Sequence, residues 1–586
     1  MKIRFSFTLL IAAGALVSTV LGFVANYNPA GQRLHWDLIS ADPGVDPNII
    51  NPKTRAVRFF IGSGAYSAAN RDAELNAVRA AFAQWQAAPG TILKFEEGGL
   101  MDGNLDVNTH DNTNLVYWAK NSTLVFGGRA DITGATAFTF YDFFSDNTLA
   151  EADIVMNGVN FSWFTDFSNP VLGSQFVEGI LAHEIGHFIG LEHSPIGGAT
   201  MLARGLSGVN TQAGLSPDEI AAAVSLYPKT GALTGLGQIQ GAVRANGNGV
   251  PGAVIVAEDA AGNVISGTLS RPDGRYELPA LPPGNYQMRA SPLDPAVDGR
   301  NTLVRGADIS TNYLAANTAF FATANFPVAV KAGAISQLDF AVGGGNPPFR
   351  IYRIGRPGPF PTTFNIVNAA IAIPAPSSNL YIAVYSPDLP TSDATLSLSG
   401  NGVTIGAPIF QPNASPGLNL ISAPLNISTD ATPGLRTLIV QRGNAIAYAN
   451  GFLEISPAFP DFNFDGLDDR FQRRYFARFT DPQAGPAADP DQDGFNNLRE
   501  FLTGSNPIDP LSFNFRILRA QLLRTGTAVT WESAPGKRYQ LLNRSDFSNG
   551  LWQAVGTPIT ATSTNSQALD PGLHGFQRFY RVQAAP

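Results

Sequence analysis

Four side chains between His183 and His193 could do chemistry together. The stretch HEIGHFIGLEH holds three imidazoles and the carboxylate of Glu184, in a chain of 586 residues with only 6 histidines. Neutral histidine suits zinc, and three protein ligands leave a fourth coordination position open. His183 and His187 are four apart, so on a helix they point the same way, about 6 Å apart along the axis. An unbroken helix would carry His193 about 9 Å further and onto another face, too far for bonds of roughly 2 Å. The helix must therefore break. Gly190 stands where that break is needed, because glycine enters the left-handed region without a Cβ penalty. Glu184, next to the first histidine, is placed to reach a water on the metal as a general base. Zinc lowers the pKa of such a water to about 7, and the carboxylate takes its proton as it attacks a polarised carbonyl.

A lone HExxH arises by chance on helices and then packs as ordinary core. Here five positions of HExxHxxGxxH coincide in a histidine-poor chain. At these residues the sequence resembles the metzincin metalloproteases. The resemblance gives Met201 a structural role beneath the three ligands, as the methionine turn. Ser194 after the third histidine is similar to the matrixin branch. The tyrosine that astacins and serralysins place after that methionine is replaced by Leu202, Ala203 and Arg204. The turn reads Gly198-Ala199-Thr200-Met201, which departs from the commoner Met-Tyr-Pro of matrixins.

The elements that must position this cluster come from residues 26–230, read as one catalytic domain. Arg55 to Ile61 alternates as a strand, and Asn70 to Ala87 carries Leu75, Val78, Phe82 and Trp85 on one helical stripe. Leu93 to Glu97, Asn114 to Ala119, Gly134 to Asp142 and Glu151 to Asn157 read as further strands. By the resemblance to matrixins, Gly134 to Asp142 is the edge strand above the cleft. Such an edge accepts an extended peptide by backbone hydrogen bonds, so the expected substrate is polypeptide. Ser174 is expected to cap the active-site helix. Ser216-Pro217-Asp218-Glu219 is a capping box with proline at the first helical position, and that helix runs to about Tyr227. His35, His110 and His574 are read as packing or surface residues.

Residues 1–25, with Lys2 and Arg4 before an apolar run, have the layout of a signal peptide. With that segment cleaved, no later stretch is long and apolar enough to span a membrane. The expected location is therefore secreted and extracellular, or attached at the cell surface. A net charge of −8 offers no basic footprint for nucleic acid, and the absence of cysteine removes disulfides and the cysteine switch of matrixins. The 59 glycines and 42 prolines suit turn-rich β modules.

Residues 231–345 resemble a carboxypeptidase regulatory-like, or transthyretin-like, β-sandwich, at Asp273-Gly274-Arg275-Tyr276 and Leu281-Pro282-Pro283-Gly284-Asn285-Tyr286. Its last strand is expected at Gln337 to Val342, beyond a long insertion. GGGNPP, from Gly343 to Pro348, reads as a linker. Residues 346–455, with strands at Tyr381 to Tyr385, Ala394 to Ser399 and Leu435 to Gln441, read as an immunoglobulin-like domain used as a spacer or adhesive. Residues 456–510 hold two calcium-loop patterns. In the fuller one Asp489, Asp491, Asp493, the Phe495 carbonyl, Asn497 and bidentate Glu500 occupy the ligand positions, with Gly494 at the turn. In the weaker one Asp461, Asn463, Asp465 and Asp469 are ligands, with Gln472 where a glutamate belongs. This segment resembles thrombospondin type 3 and dockerin-like repeats. Residues 511–586 read as a small β domain with Trp531, Tyr539, Trp552, Phe579 and Tyr580 as core aromatics.

The expectation is a multidomain protein. An α/β (α+β) metzincin catalytic domain with a twisted mixed sheet and active-site helix precedes several all-β sandwich modules and a calcium-loop segment. Its expected function is zinc-dependent endopeptidase. His183, His187 and His193 would bind Zn2+, Glu184 would be general base, Met201 would support the floor, and Ca2+ would stiffen the acidic segment. The implied partners are a polypeptide substrate and, through the β modules, a cell-surface or matrix ligand. The alternative is a non-catalytic or narrowly specific zinc-containing adhesion or processing protein.

Overall fold

The computed structural model describes residues 4–6, 26, 32–40, 46–205, 212–296, 302–492, 495–510, 512, 516–533, 535–536, 538–546, 551–572 and 577–585. Most of the expected leader, with Asp493, Gly494 and His574, lies outside the described residues. The chain forms two compact units, Met1–Phe462 and Asn463–Pro586.

The first unit opens on a mixed sheet. Val57–Gly62 pairs in parallel with Phe95–Met101 on one side and Leu115–Ala119 on the other. Leu115–Ala119 pairs in parallel with Leu149–Asn157, along which Ala137–Phe144 runs antiparallel. Every residue of Leu149–Asn157 is buried, as a central strand covered on both faces requires. Beyond Ala137–Phe144, among the described residues, one short strand is added: Arg4–Ser6 pairs antiparallel with Asp142–Phe144.

Helix α1 (Arg71–Ala87) forms where the apolar stripe places it, and Leu75, Val78, Phe82 and Trp85 are all buried. Phe82 stacks on Phe59 at 3.9 Å between ring centroids and meets Phe188 edge-on at 5.6 Å. Trp85 donates its indole N–H to the Ala182 carbonyl at 2.8 Å, so α1 is fastened to α2 (Val177–Phe188) by a buried bond as well as by packing. From the opposite side Trp36 donates its indole N–H to Phe188 O at 2.8 Å. The start of α2 differs from expectation. Phe176 is its N-cap, with no side-chain bond to the helix, and the Ser174 hydroxyl pairs with that of Ser162 instead. The short strand Gln175–Phe176 intervenes, which moves the helix start two residues beyond reach of Ser174. Helix α3 (Pro217–Leu226) begins on the expected capping box of Ser216 and Glu219.

Two β-sandwich regions complete the unit. In the first, Gly237–Ala245 lies between Asn248–Gly249 and Arg275–Leu281, and Ile335–Gln337 and Phe340–Ala341 return parallel to it after a long excursion. The facing sheet runs Val264–Leu269, Ala253–Glu258, Gly284–Pro292 and Phe326–Val330. Ile239, Val243, Ile255, Tyr276, Met288 and Phe340 fill the space between. In the second region Ser377–Ser386 and Leu418–Ile427 centre one sheet, and Gly434–Arg442 with Ala445–Ser456 centre the other. The glycine-rich stretch between the two regions is not a loose linker. Phe321 N donates to Gly343 O at 2.8 Å and Gly345 N to Ala319 O at 3.0 Å, which zips it onto the excursion.

In the second unit, α-helical turns Asp469–Tyr475 and Asn497–Thr503 precede two three-stranded sheets. Trp531 and Tyr539 are fully buried between those sheets, while Trp552, Phe579 and Tyr580 are half-buried.

Candidate metal centre

Helix α2 carries His183, Glu184 and His187, and it ends at Phe188. Gly190 has φ 98°, the left-handed conformation expected there, and a Cβ on it would meet the Leu34 carbonyl oxygen. Glycine is demanded twice, by the dihedral and by the neighbour. The chain turns back, Leu191 N bonds Gly186 O at 2.9 Å, and His193 returns to the other two histidines. The three rings stand 4.8 to 5.1 Å apart between centroids.

Each imidazole is aimed by a bond on its far nitrogen. His183 Nδ1 lies 2.8 Å from Thr200 O, His187 Nδ1 2.8 Å from Leu191 O, and His193 Nδ1 3.1 Å from Ile309 O. A carbonyl only accepts, so each Nδ1 carries the proton and each Nε2 is left with its lone pair. The three donor atoms lie within 4.8 Å of one another, with Nε2 of His187 and His193 at 3.3 Å. Three converging lone pairs repel one another and attract a cation, and neutral imidazole is a zinc donor, so the residues present fit that ion. Burial pushes His183 down to about 3 and His187 well below the ordinary range. Burial likewise lowers His193, against the pull of the Ile309 and Asp308 backbone and the Asp308 charge. The neutral form that binds metal is thus the form the fold selects.

Glu184 is 5% exposed and burial raises its carboxyl to about 7, partly opposed by a bond from Thr139. Thr139, on the outer strand Ala137–Phe144, puts its hydroxyl 2.6 Å from Glu184 Oε2 and 3.0 Å from Glu184 O. The carboxylate is therefore held between helix and strand. Sequence reasoning did not find Thr139; the outward–inward alternation of the strand was its one signal.

Met201 lies under the helix. A Cβ on Gly186 would collide with the Met201 thioether, which explains a glycine in mid-helix between the two histidines. Ser194 N bonds Met201 O at 2.8 Å, and Met201 N bonds Glu219 Oε1 at 2.9 Å. The α3 capping box thereby also fixes the turn. Burial, with the Asp218 charge, raises Glu219 to about 7, and burial raises Asp218 as well.

Among the described residues, His183, His187 and His193 are the histidine, aspartate and glutamate side chains that gather closely enough to hold a metal. His35 bonds Arg33 O and Asn147, and His110 faces Asp142, so neither joins the cluster. The acidic segment is arranged differently. Asn463 donates to Asp465 and Phe479 O, Gln472 to Asp465 and Ala484 O, and Asn497 to Gln483 O and Gly485 O. Both loops thus anchor on residues 483–485. Asp469, Gln472, Asn497 and Glu500 are buried, Asp465, Asp489 and Asp491 half-buried. Asp461 is half-buried at the end of the first unit.

A sequence-family profile described as matrixin matches residues 53–228, and one described as carboxypeptidase regulatory-like domain matches residues 238–295. No curated protein matches the chain. Solved structures with some likeness include BcpA, the major pilin subunit of Bacillus cereus, at 10% identity and TM-score 0.12, covering 37% of this chain and 69% of that one. The Bacillus anthracis TIE protein is 12% identical with TM-score 0.12, over 38% of this chain and 32% of that one. A putative carbohydrate binding protein from Bacteroides uniformis is 12% identical with TM-score 0.12, over 36% and 95%. Likenesses at this level carry nothing about what the chain does.

Proposed function

We propose that this chain is a secreted zinc endopeptidase that cuts extracellular polypeptides, with His183, His187 and His193 as metal ligands and Glu184 as general base. The observation that carries the reading is the convergence of three neutral Nε2 donors, each aimed by a carbonyl on its Nδ1. The matrixin match over residues 53–228 supports a metalloprotease. Zinc in this site supplies the Lewis acid and the activated water of peptide hydrolysis. Glu184 accepts the proton at its carboxylate and returns it to the leaving amine, the two transfers of a general base that turns general acid. Thr139 holds that carboxylate in place, and Met201 supports the ligands from below. The substrate lies extended along Ala137–Tyr141. Arg4–Ser6, already antiparallel to the same strand at Asp142–Phe144, supports an edge that takes an added strand.

Within the same proposal, residues 456–510 bind calcium through Asp489, Asp491, Asp493, Phe495, Asn497 and Glu500, and through Asp461, Asn463, Asp465 and Asp469. Support comes from amide oxygens. Asn463 Oδ1, Gln472 Oε1 and Asn497 Oδ1 are buried and make no hydrogen bond, although their NH2 groups are each tied to backbone carbonyls. Hard oxygen donors held in this way suit calcium. The reading of 346–455 as an immunoglobulin-like domain belongs to the proposal too, supported by its two facing sheets.

The test is hydrolysis of an unfolded protein by the whole chain and by Glu184→Ala, with zinc content measured on both. Both should hold zinc, and the variant should cut about 10²- to 10⁴-fold more slowly. Equal cutting by both, or a zinc-loaded chain that cuts nothing, sinks the endopeptidase reading.

A further inference from the structure

We infer that the excursion from Thr302 to Tyr313, which belongs to the first β-sandwich region, is a working part of the metal centre and positions His193. This rests on the zinc reading above. Two of the three histidines take their orienting carbonyl from their own neighbourhood, Leu191 and Thr200. The third takes it from Ile309, 116 residues away in a different module. Ile309 is 1% exposed and belongs to the apolar cluster that includes Ile196, Ala199 and Leu202 of the returning loop.

Several independent bonds fix where that carbonyl points. Arg204, three residues beyond Met201, gives Nη2 to Asp308 Oδ1 at 2.6 Å and Nη1 to Thr302 O at 3.2 Å. Asp308 in turn receives Arg305 N at 2.8 Å and the Arg305 guanidinium, which caps the short helix Gly306–Ile309. The stem is closed by Asp294, whose Oδ2 accepts from Leu303 N at 2.9 Å and Val304 N at 3.2 Å. Arg350 bonds Leu293 O at 3.1 Å and Thr318 O at 2.5 Å, so one guanidinium ties both flanks of the excursion. A second tether reaches the same loop. Asp218 receives Ser194 Oγ at 2.7 Å on one oxygen, and Ser266 Oγ and Gly267 N on the other.

The loop from His193 to Arg204 is therefore clamped between the catalytic region and the sandwich. An orienting partner on a metal-bound imidazole is typically worth about 10- to 100-fold in metal affinity. Arg204 and Asp308 act through Ile309, so they are positioning residues.

The experiment measures zinc affinity of the whole chain, by competition with a chromophoric chelator, for wild type, Arg204→Ala, Asp308→Ala and the double variant. The visible spectrum of the cobalt-loaded protein reports ligand geometry, and thermal unfolding is followed alongside. Each single variant should weaken zinc about tenfold and alter the cobalt spectrum, and the double should be little worse than either single, because both remove one pair. Should the alanine variants unfold, Arg204→Lys keeps one donor for Asp308, and weakened zinc at near-normal unfolding temperature is then the supporting result. Variants that hold zinc as tightly as wild type, with an unchanged cobalt spectrum, overturn the inference even if their unfolding temperature falls. A wild-type chain that binds no zinc fails the zinc reading itself, which is a distinguishable outcome.

Discussion

At the histidine centre every donor is aimed by a hydrogen bond to another residue, near or distant: Thr200, Leu191 and Ile309 carbonyls on the three Nδ1 atoms, and Thr139 on Glu184. In the acidic segment the candidate donors are crowded within loops of about a dozen residues, and the amides of Gln472 and Asn497 are tied to the adjacent turn at 483–485. The two regions differ in what holds their polar side chains in place. The first is built into a packed unit that buries Trp36, Phe82, Trp85 and Phe188, so its geometry is set by the hydrophobic core. The second gathers carboxylates whose mutual repulsion a divalent ion would offset.

Chelation separates these cases with the largest expected effects. Stripping zinc should abolish hydrolysis while far-UV circular dichroism of the chain stays nearly unchanged. Stripping calcium should leave hydrolysis largely intact and expose the bonds after Arg470, Arg473, Arg474 and Arg499 to trypsin. If zinc removal unfolds the first unit, the centre is not preorganised and the comparison fails on that side. An unaltered tryptic pattern without calcium breaks it on the other.

Gly190→Ala sharpens the claim that the fold, and not the metal, turns the chain back. The new methyl would have to share space with Leu34 O at φ 98°. The cost should be about 2 to 4 kcal/mol of stability, with weakened zinc, because both strain and a backbone clash are introduced. Measured by denaturant unfolding with and without zinc, a loss that disappears when zinc is present would assign the turn to the ion.

What was legible follows from which atoms do the work. The proposed ligands and base stood out because side-chain types at fixed intervals carry the chemistry, and Gly190 because glycine is the residue that best tolerates its dihedral. The α3 capping box was equally local. Ile309, Thr200 and Leu191 left no trace, since every residue has a carbonyl and none advertises that it will be used. Gly186 was visible as a glycine but not as the mate of Met201. The Ser174 cap misled because a hydroxyl near a helix start has a competing partner, Ser162, that lies across a strand pair and not along the chain. The glycine-rich 343–348 stretch read as a linker because composition reports flexibility of the isolated chain, whereas Phe320 and Phe321 supply a surface for it to zip against.

Thr139 gives the smallest and most discriminating test. Its hydroxyl reaches two oxygens of Glu184, Oε2 and the backbone carbonyl, and these bonds go to none of the three imidazoles, so it should affect proton transfer and leave metal binding alone. Thr139→Val keeps the shape and β-branching that suit a strand while deleting the bond. A hydrogen bond to a charged group is worth about 1.5 to 3 kcal/mol, part of which a mobile carboxylate recovers by bonding water. The expected result is kcat lower by about tenfold, KM and zinc content unchanged, and recovery in Thr139→Ser. Loss of zinc in Thr139→Val would mean that the strand holds the helix and its ligands as well as the base. Unchanged kcat would mean that α2 alone sets the carboxylate, and that the outer strand contributes only the edge on which a peptide is laid.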